Sequence, residues 1–168
     1  MDTIVIRPAR QGEYEAVGRI VVAAYRTLDD PPSEGYEAHM ADVAGRASVS
    51  TVLAAVLDGR LVGTATLVFP GSPLDEIGDP DGAGIRMLGV DPACRGRGVG
   101  EALVRACVQR ARDGGAARIW LHTETCMTDA HRLYARCGFV REPARDWTPV
   151  PDVDLLAYVL DLASTPGA

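Results

Sequence analysis

The chain has 168 residues, of which 47% are hydrophobic and 24% are charged, and its formal net charge at pH 7 is −6. This length and composition predict one cytoplasmic domain with a substantial core, over residues 1–163, followed by a flexible tail over 164–168. The acidic charge argues against a nucleic-acid partner, and a membrane is excluded because no apolar run approaches the ~20 residues that cross a bilayer.

Hydrophobic periodicity and turn residues predict a series of strands and helices. In chain order they are a strand at 3–7, helices at 13–28 and 36–46, strands at 51–57, 61–69 and 85–90, a helix at 98–112, a strand at 117–124, a helix at 128–137, and strands at 139–145 and 153–162. A loop rich in Gly, Pro and Asp occupies 70–84. The clearest local signal is Asp58-Gly59 between two β-rich runs, which is typical of a two-residue hairpin turn.

The most informative stretch runs from Leu88 to Glu101. An apolar strand ends at Asp91-Pro92, a turn with glycine at 96, 98 and 100 follows, and a helical pattern begins at once. Glycines let a ligand approach the backbone N–H groups, because no Cβ stands in the way. The start of a helix adds unpaired N–H groups and the positive end of its dipole. This combination predicts a binding loop for phosphate or pyrophosphate.

Two familiar phosphate-binding motifs do not match the loop. A Walker A loop needs Gly-Lys followed by Ser or Thr, and the chain contains no lysine. A Rossmann fingerprint needs a third glycine where this chain has Glu101 or Leu103, depending on the glycine from which the motif is counted. A nucleotide-binding domain is therefore only a minor alternative.

The loop resembles the acetyl-CoA loop of the GNAT superfamily of N-acetyltransferases. That signature is Arg or Gln, two residues, Gly, one residue, then Gly or Ala, and Arg95, Gly98 and Gly100 fill it. A second stretch, at 130–139, is similar to the family's A-x-x-L-Y-x-x-x-G-F element. The resemblance implies an α/β (α+β) fold with a mixed, mostly antiparallel central sheet of about seven strands and helices on both faces.

The resemblance also implies acetyl-CoA as cosubstrate. Backbone N–H groups of the glycine loop would take the pyrophosphate, and the Arg95 and Arg97 side chains are further candidates for phosphate contact. The strand before the loop would hold the pantetheine arm through main-chain groups. The implied cofactor-binding residues are Leu88, Gly89, Val90, Arg95, Gly96, Arg97, Gly98, Val99, Gly100, Ala130, Tyr134 and Arg136.

Tyr134 matches the tyrosine that acts as general acid in the family. A phenol with a pKa near ~10 keeps its proton at neutral pH and can donate it to a departing thiolate; the alternative is a core tyrosine. Glu124 is the candidate general base, acting through water from the end of its strand, where many relatives carry asparagine. It can equally be a solvated or arginine-paired carboxylate. His122 shares its face of the strand and is interpreted as a satisfied, half-buried histidine.

The acceptor regions implied by the resemblance lie between the first two helices and in the loop after the third strand. Both are acidic in this chain: Asp29, Asp30, Glu34, Glu37 and Asp42 in the first, and Asp75, Glu76, Asp79 and Asp81 in the second. A negative rim would attract a protonated amine, although acidic loops are also what an acidic protein has.

The leading hypothesis is an N-acetyltransferase that moves an acetyl group from acetyl-CoA to a primary amine of a small molecule or peptide, by direct attack in a ternary complex. The alternative is a non-catalytic protein that binds or senses acyl-CoA. An exposed edge at strand 153–162 would let two copies pair as a homodimer.

The four cysteines, Cys94, Cys107, Cys126 and Cys137, show no C-x-x-C pair and no metal-ligand spacing. We expect reduced thiols and no metal. Cys126 lies just before the second motif and is interpreted as a small apolar filler.

Overall fold

The computed structural model describes residues 2–163, and the tail expected at 164–168 lies outside them. The strands of the described chain are β1 (Ile4–Pro8), β2 (Thr51–Leu57), β3 (Arg60–Val68), β4 (Gly82–Val90), β5 (Arg118–Glu124), β6 (Val140–Arg141), β7 (Trp147–Val150) and β8 (Val153–Asp161). The α-helices are α1 (Tyr14–Tyr25), α2 (Glu34–Ala41), α3 (Val43–Val49), α4 (Val99–Asp113) and α5 (Thr128–Arg136).

All these strands belong to one sheet, in the order β1-β2-β3-β4-β5-β8-β6, with β7 beside β8. Every paired set is antiparallel except β4 and β5, which run parallel. A parallel pair needs a crossover connection, and α4 supplies it. The mixed, mostly antiparallel sheet is confirmed, with eight strands in residues 2–163 where about seven were predicted.

Helices cover both faces of the sheet, as predicted. Val52 and Leu53 are neighbours on β2 and point to opposite faces. Leu53 packs in the large core that α4 enters with Leu103, whereas Val52 packs with Val17 of α1 and Val43 of α3. The helices α1, α2 and α3 therefore lie on one face, and α4 and α5 lie on the other.

The hairpin prediction is confirmed at the predicted turn. Asp58 and Gly59 join β2 to β3 with φ values of 49° and 83°. Two consecutive residues with positive φ give the turn whose twist matches that of the strands.

The single helix predicted at 36–46 is wrong, because the structure has two helices there. Ser33 caps α2, its Oγ accepting a hydrogen bond from the Tyr36 N–H at 3.2 Å. Asp42 leaves the helical conformation with ψ of 70°, and its carboxylate accepts from the Gly45 N–H at 3.0 Å to begin α3. A short acidic side chain competes in this way with continuation of a helix, and that competition divides the segment.

The strand predicted at 139–145 is also wrong in extent. It ends at Arg141, because Pro143 has no N–H to donate and begins a 3-10 turn. The strand β7 then follows, where the sequence predicted none. Strands β6 and β7 pair with the side of β8 opposite β5, so β8 is not an exposed edge. The homodimer argued from that edge loses its basis and stays a prediction.

Candidate active site

The sheet opens between β4 and β5. The two strands pair only over residues 82–85 and 118–121, although β4 continues to Val90 and β5 to Glu124. Among the described residues, the backbone groups of β4 that face β5 beyond residue 85 have no partner strand. Backbone polar groups need partners, so this gap is a place where a ligand can bind strand edges in the middle of the sheet.

β4 carries a β-bulge at Met87, just beyond its last pairing with β5. On β3, Thr64 lies opposite Gly89 and Thr66 opposite Arg86, so that two residues of β4 face one of β3 between them. Met87 takes φ of 52°, which is strained for a residue with a side chain. Its side chain is 4% exposed and packs with the α1 and α2 core. The sequence carried no signal of this bulge, because the local letters are those of an ordinary buried strand.

The strand predicted to hold the pantetheine arm borders the gap. Leu88 and Val90 are half-buried and pack toward α4. Gly89 faces α1, where a Cβ would lie 3.2 Å from the Val21 Cα. The absence of a side chain at this position lets α1 approach the strand closely.

The glycine loop leads from β4 into α4. Gly96 and Gly98 have φ of 76° and 82°, in the left-handed region that favours glycine, and α4 begins at the next residue, Val99. Within residues 2–163, the N–H groups of Gly96, Gly98 and Gly100 have no acceptor. Unpaired N–H groups and a helix N-terminus at one point form a site suited to an anion.

The arginine side chains of the loop are engaged by the protein. Arg95 Nη2 donates to Thr27 Oγ1 at 2.7 Å and to the Ala24 carbonyl at 3.2 Å, which ties the loop to the end of α1. Arg97 Nε donates to Asp2 Oδ2 at 2.8 Å. Both side chains position the loop, and the N–H groups of its glycines remain available to a ligand.

Tyr134 lies at the junction of α5 and the large core. It is 5% exposed, with ring centroids 6.1 Å from Phe139 and 5.9 Å from Tyr158. Burial raises its pKa, so the phenol stays protonated at neutral pH. Its hydroxyl makes no hydrogen bond to another described residue. Burial raises the pKa of the Tyr25 phenol on α1, and the nearby Tyr134 adds to that increase.

The rest of α5 packs against the start of α4. A Cβ on Gly100 would lie 3.3 Å from Leu133 Cδ2, so the glycine lets the two helices approach. Ala130 is half-buried against the core. Arg136 is mainly exposed, with Nε 3.9 Å from Glu101 Oε2.

Glu124 ends β5 on the α1 side of the gap. It lies on the same strand face as Trp120 and His122, as the alternation predicted, and all three line one cavity. Burial, helped by the charge of Asp30, raises the pKa of the Glu124 carboxyl. Its backbone carbonyl accepts from His131 Nε2 at 2.9 Å, which fixes α5 against the end of the strand.

The cavity has a volume of about 580 Å³ and lies on the α1 face of the sheet, beside the gap. It is bounded by the connection between α1 and α2, the loop between β3 and β4, the carboxyl half of β5, and β7 with the start of β8. This is where the resemblance placed the acceptor. Its polar and aromatic lining comprises Tyr25, Asp30, Ser33, Tyr36, Asp75, Glu76, Arg86, Trp120, His122, Thr123, Glu124 and Trp147.

Arg86 is a lining residue that sequence reasoning missed. It lies on β4 where the strands separate, and its Nη2 is 3.0 Å from Glu76 Oε1. Its Nη1 donates to the Leu74 carbonyl at 3.3 Å. The aromatic residues Tyr25 and Tyr36 were missed as well, because the residues of this wall come from separate segments and share no motif.

Only part of the predicted acidic rim reaches the cavity. Asp30, Asp75 and Glu76 line it, whereas Glu37 pairs with Arg26 at 2.6 Å outside it. Asp42 is committed to the cap of α3. Asp79 is 4% exposed and accepts hydrogen bonds from Arg118 and Trp120 at 2.8 Å each, so it is a structural carboxylate.

Two further residues near the end of β5 were interpreted from the sequence, His122 and Cys126. His122 Nε2 lies 3.0 Å from the Arg145 carbonyl and therefore carries a proton, in accordance with the interpretation of a satisfied histidine. Cys126 is exposed, so the interpretation as an apolar filler is wrong. Partial desolvation of the thiol by its neighbours, together with the charge of Glu124, raises the pKa of Cys126, which disfavours a reactive thiolate.

Residues 2–163 show neither a cluster of metal ligands nor a membrane-spanning helix. No group of three or more His, Cys, Asp or Glu side chains is arranged to hold a metal ion. None of the helices described has the length and apolar character needed to cross a membrane.

Comparison with known proteins gives the same assignment from sequence and from fold. Residues 15–139 match the model of the acetyltransferase (GNAT) family. The mycothiol acetyltransferase of Sanguibacter keddieii is 34% identical over 142 residues, covering 81% of this chain and 43% of that protein. The chain spans less than half the length of the mycothiol acetyltransferases that it matches.

Solved structures share the fold at low sequence identity. A GNAT-family acetyltransferase from Staphylococcus aureus superposes with a TM-score of 0.75 at 17% identity, covering 95% of this chain and 99% of the other. The yncA protein of Salmonella typhimurium, solved with its cofactor acetyl-CoA, gives 0.69 at 20% identity, covering 99% and 97%. From the family match and this shared architecture, the chain belongs to the GNAT acetyltransferase family.

Proposed function

We propose that the protein transfers an acetyl group from acetyl-CoA to a primary amine by direct attack in a ternary complex. One observation carries this proposal: the gap between β4 and β5 borders both a glycine loop with unpaired backbone N–H groups and a cavity of about 580 Å³. A two-substrate reaction without a covalent enzyme intermediate needs two such sites that meet at one point.

The described residues fit the donor. Three N–H groups of the glycine loop have no acceptor within residues 2–163, and a Cβ at Gly96 would meet open space. The loop backbone from Arg95 to Gly100 would hold the pyrophosphate, and Leu88, Gly89 and Val90 would offer strand-edge groups to the pantetheine arm. Ala130, Tyr134 and Arg136 would border the donor from α5. When bound, acetyl-CoA supplies the thioester carbonyl that the amine attacks.

The reaction needs two proton transfers, and Glu124 and Tyr134 each perform one of them. Glu124 has a raised pKa, which makes it a stronger base than an ordinary carboxylate, and it accepts the proton of the ammonium through water. Tyr134 keeps its proton at neutral pH because burial raises its pKa, and it donates that proton to the departing thiolate. The exposed Cys126 has no role in this scheme.

The first experiment is a calorimetric titration of the protein with acetyl-CoA, with CoA and ATP alongside. We expect acetyl-CoA and CoA to bind with Kd values of about micromolar order and ATP to bind far more weakly. Binding of ATP with no preference for CoA would support the nucleotide-binding alternative instead. Binding of acetyl-CoA by a protein that turns over no amine would favour the acyl-CoA sensor.

A further inference from the structure

The cavity beside the gap carries an excess of negative charge. Four carboxylates line it, from Asp30, Asp75, Glu76 and Glu124, against the single guanidinium of Arg86. These charges lie within a partly enclosed space, where they interact more strongly than they would in bulk water. The cavity therefore favours a cation over a neutral or anionic molecule.

Arg86 is already neutralised. Its side chain is 18% exposed, with Nη2 at 3.0 Å from Glu76 and Nη1 bonded to the Leu74 carbonyl. Arg46 is buried behind this wall, where it donates to the Met40 carbonyl, and it does not line the cavity. A substrate carboxylate in the cavity would meet the like charges of Asp30, Asp75 and Glu124, and an arginine whose partner, Glu76, it must displace.

The remaining walls are aromatic and aliphatic. Tyr25, Tyr36, Trp120 and Trp147 contribute rings, and Leu28, Met127 and Leu155 contribute aliphatic surface. Apolar walls with a few charged groups are typical of small-molecule sites. Aromatic faces also attract cations, although one face of Trp120 is already occupied by the Arg145 guanidinium, 5.3 Å from the ring centroid. Such walls suit an apolar body that carries one ammonium group.

We propose that the acceptor is a small monoamine with an apolar or aromatic body and no carboxylate, and that the Glu76–Arg86 ion pair is the element that excludes carboxylates. This inference rests on the proposed function, because it assigns the cavity to the acceptor. Glu76 acts here by occupying Arg86, so it is a specificity residue and takes no part in the proton transfers.

Phenethylamine and L-phenylalanine test the proposal, because they share a skeleton and differ by the carboxylate. Their binding is measured by calorimetry in the presence of saturating CoA and again without it, so that no turnover is needed. We expect phenethylamine to bind at least about tenfold more tightly than phenylalanine. Equal affinities, tighter binding of phenylalanine, or binding of neither probe would overturn the proposal.

Two variants distinguish the effect of the Glu76–Arg86 ion pair on this preference from the effect of the cavity's negative charge. Glu76→Gln removes one negative charge and releases Arg86, so the preference for phenethylamine is expected to fall severalfold. Asp75→Asn removes one negative charge from the same cavity but leaves Arg86 paired, and an amide oxygen can still accept from the Ile77 N–H that Asp75 binds at 3.0 Å. Its preference is expected to fall less than that of Glu76→Gln. An equal decrease of this preference in both variants would show that it depends on the negative charge of the cavity alone, and would overturn the role of the ion pair.

The proposed function fails in a different measurement. A protein that binds neither acetyl-CoA nor CoA contradicts the acetyltransferase proposal, whereas the titrations without CoA still decide which probe the cavity prefers.

Discussion

The two halves of the candidate active site are built in different ways. The donor half consists of backbone groups in two short stretches, the glycine loop and the strand before it, completed by α5. The acceptor half consists of side chains from five separate segments, held together by hydrogen bonds such as those of Asp79. A backbone site needs particular residues at particular spacings and therefore leaves a motif. A side-chain site needs only that distant residues meet, and it tolerates variation that changes the acceptor.

The largest effect is expected where the two halves meet. Replacing Tyr134 with Phe removes the hydroxyl but keeps the ring that packs on Phe139 and Tyr158. Loss of a general acid lowers rates by roughly 10²–10⁴-fold, so we expect kcat to fall about a thousandfold while the Kd of acetyl-CoA stays within about twofold. Steady-state kinetics and calorimetry on the same preparation measure the two quantities. An unchanged kcat would remove Tyr134 from the mechanism.

A smaller effect is expected from Glu124→Gln, at the inner end of the acceptor half. The carboxyl works as a base only when ionised, and its pKa is raised by burial and by Asp30. Activity of the parent enzyme should therefore fall as the pH drops through a pKa above the ordinary range of a carboxyl. The variant should lose roughly 10²-fold in kcat/KM together with this acidic limb. A pH profile of kcat/KM checks both, and a limb that persists in the variant would assign it to another group.

The donor half can be tested with two matched glycines. Gly96 and Gly115 have φ of 76° and 83°, and a Cβ on either would meet open space in the protein. Alanine at either position carries the same backbone strain of about 1 kcal/mol, but only Gly96 lies in the glycine loop. We expect Gly96→Ala to weaken acetyl-CoA binding about tenfold, equivalent to ~1.4 kcal/mol, and Gly115→Ala to leave it unchanged. Equal affinities in calorimetry would mean that the ligand does not approach the loop.

The smallest effect on activity is expected from Asp79→Asn, which weakens the hydrogen bonds that hold a wall of the acceptor cavity in place. The Asp79 carboxylate accepts hydrogen bonds from Arg118 and from the cavity residue Trp120. An asparagine amide accepts from these two side chains less well than the carboxylate does. The KM of the amine should rise severalfold while the Kd of acetyl-CoA is unchanged. Unfolding stability should fall by about 2–3 kcal/mol, because a buried, bonded charge is lost. Asp81→Asn, at an exposed carboxylate 3.8 Å from Arg118, is the control.

The stability of the parent protein should also depend on pH through Asp79. Hydrogen bonds from Arg118 hold the pKa of Asp79 well below its usual range. A carboxyl whose pKa is lower in the folded state stabilises the fold above its unfolded pKa, and this stabilisation is lost as the pH falls toward the folded pKa. Denaturant titrations across the acid range should show a shallower loss of stability in Asp79→Asn. Parallel curves would contradict this role.

Several elements could be predicted because their signals are local. The Asp58-Gly59 turn fixes the hairpin by its own φ values, and the apolar positions of α4 repeat with the helical period. The failures have a physical cause beyond the local pattern. Asp42 divides the single helix predicted at 36–46 by accepting a hydrogen bond from the Gly45 N–H. The strand predicted over 139–145 ends at Arg141, before Pro143, and a further strand, β7, follows the turn where none was predicted.

The sequence by itself determined the family, and it predicted a donor loop and the candidates Tyr134 and Glu124. It could do so because a backbone binding loop and the second motif place particular residues at fixed spacings. Only the tertiary structure decided that Arg95 and Arg97 bind the protein, that β8 is covered on both sides, and that Arg86 meets Glu76 in the cavity. Those outcomes depend on which distant segments pack together. The bulge at Met87 and the gap between β4 and β5 are further outcomes of the tertiary structure, and neither is encoded in a local pattern.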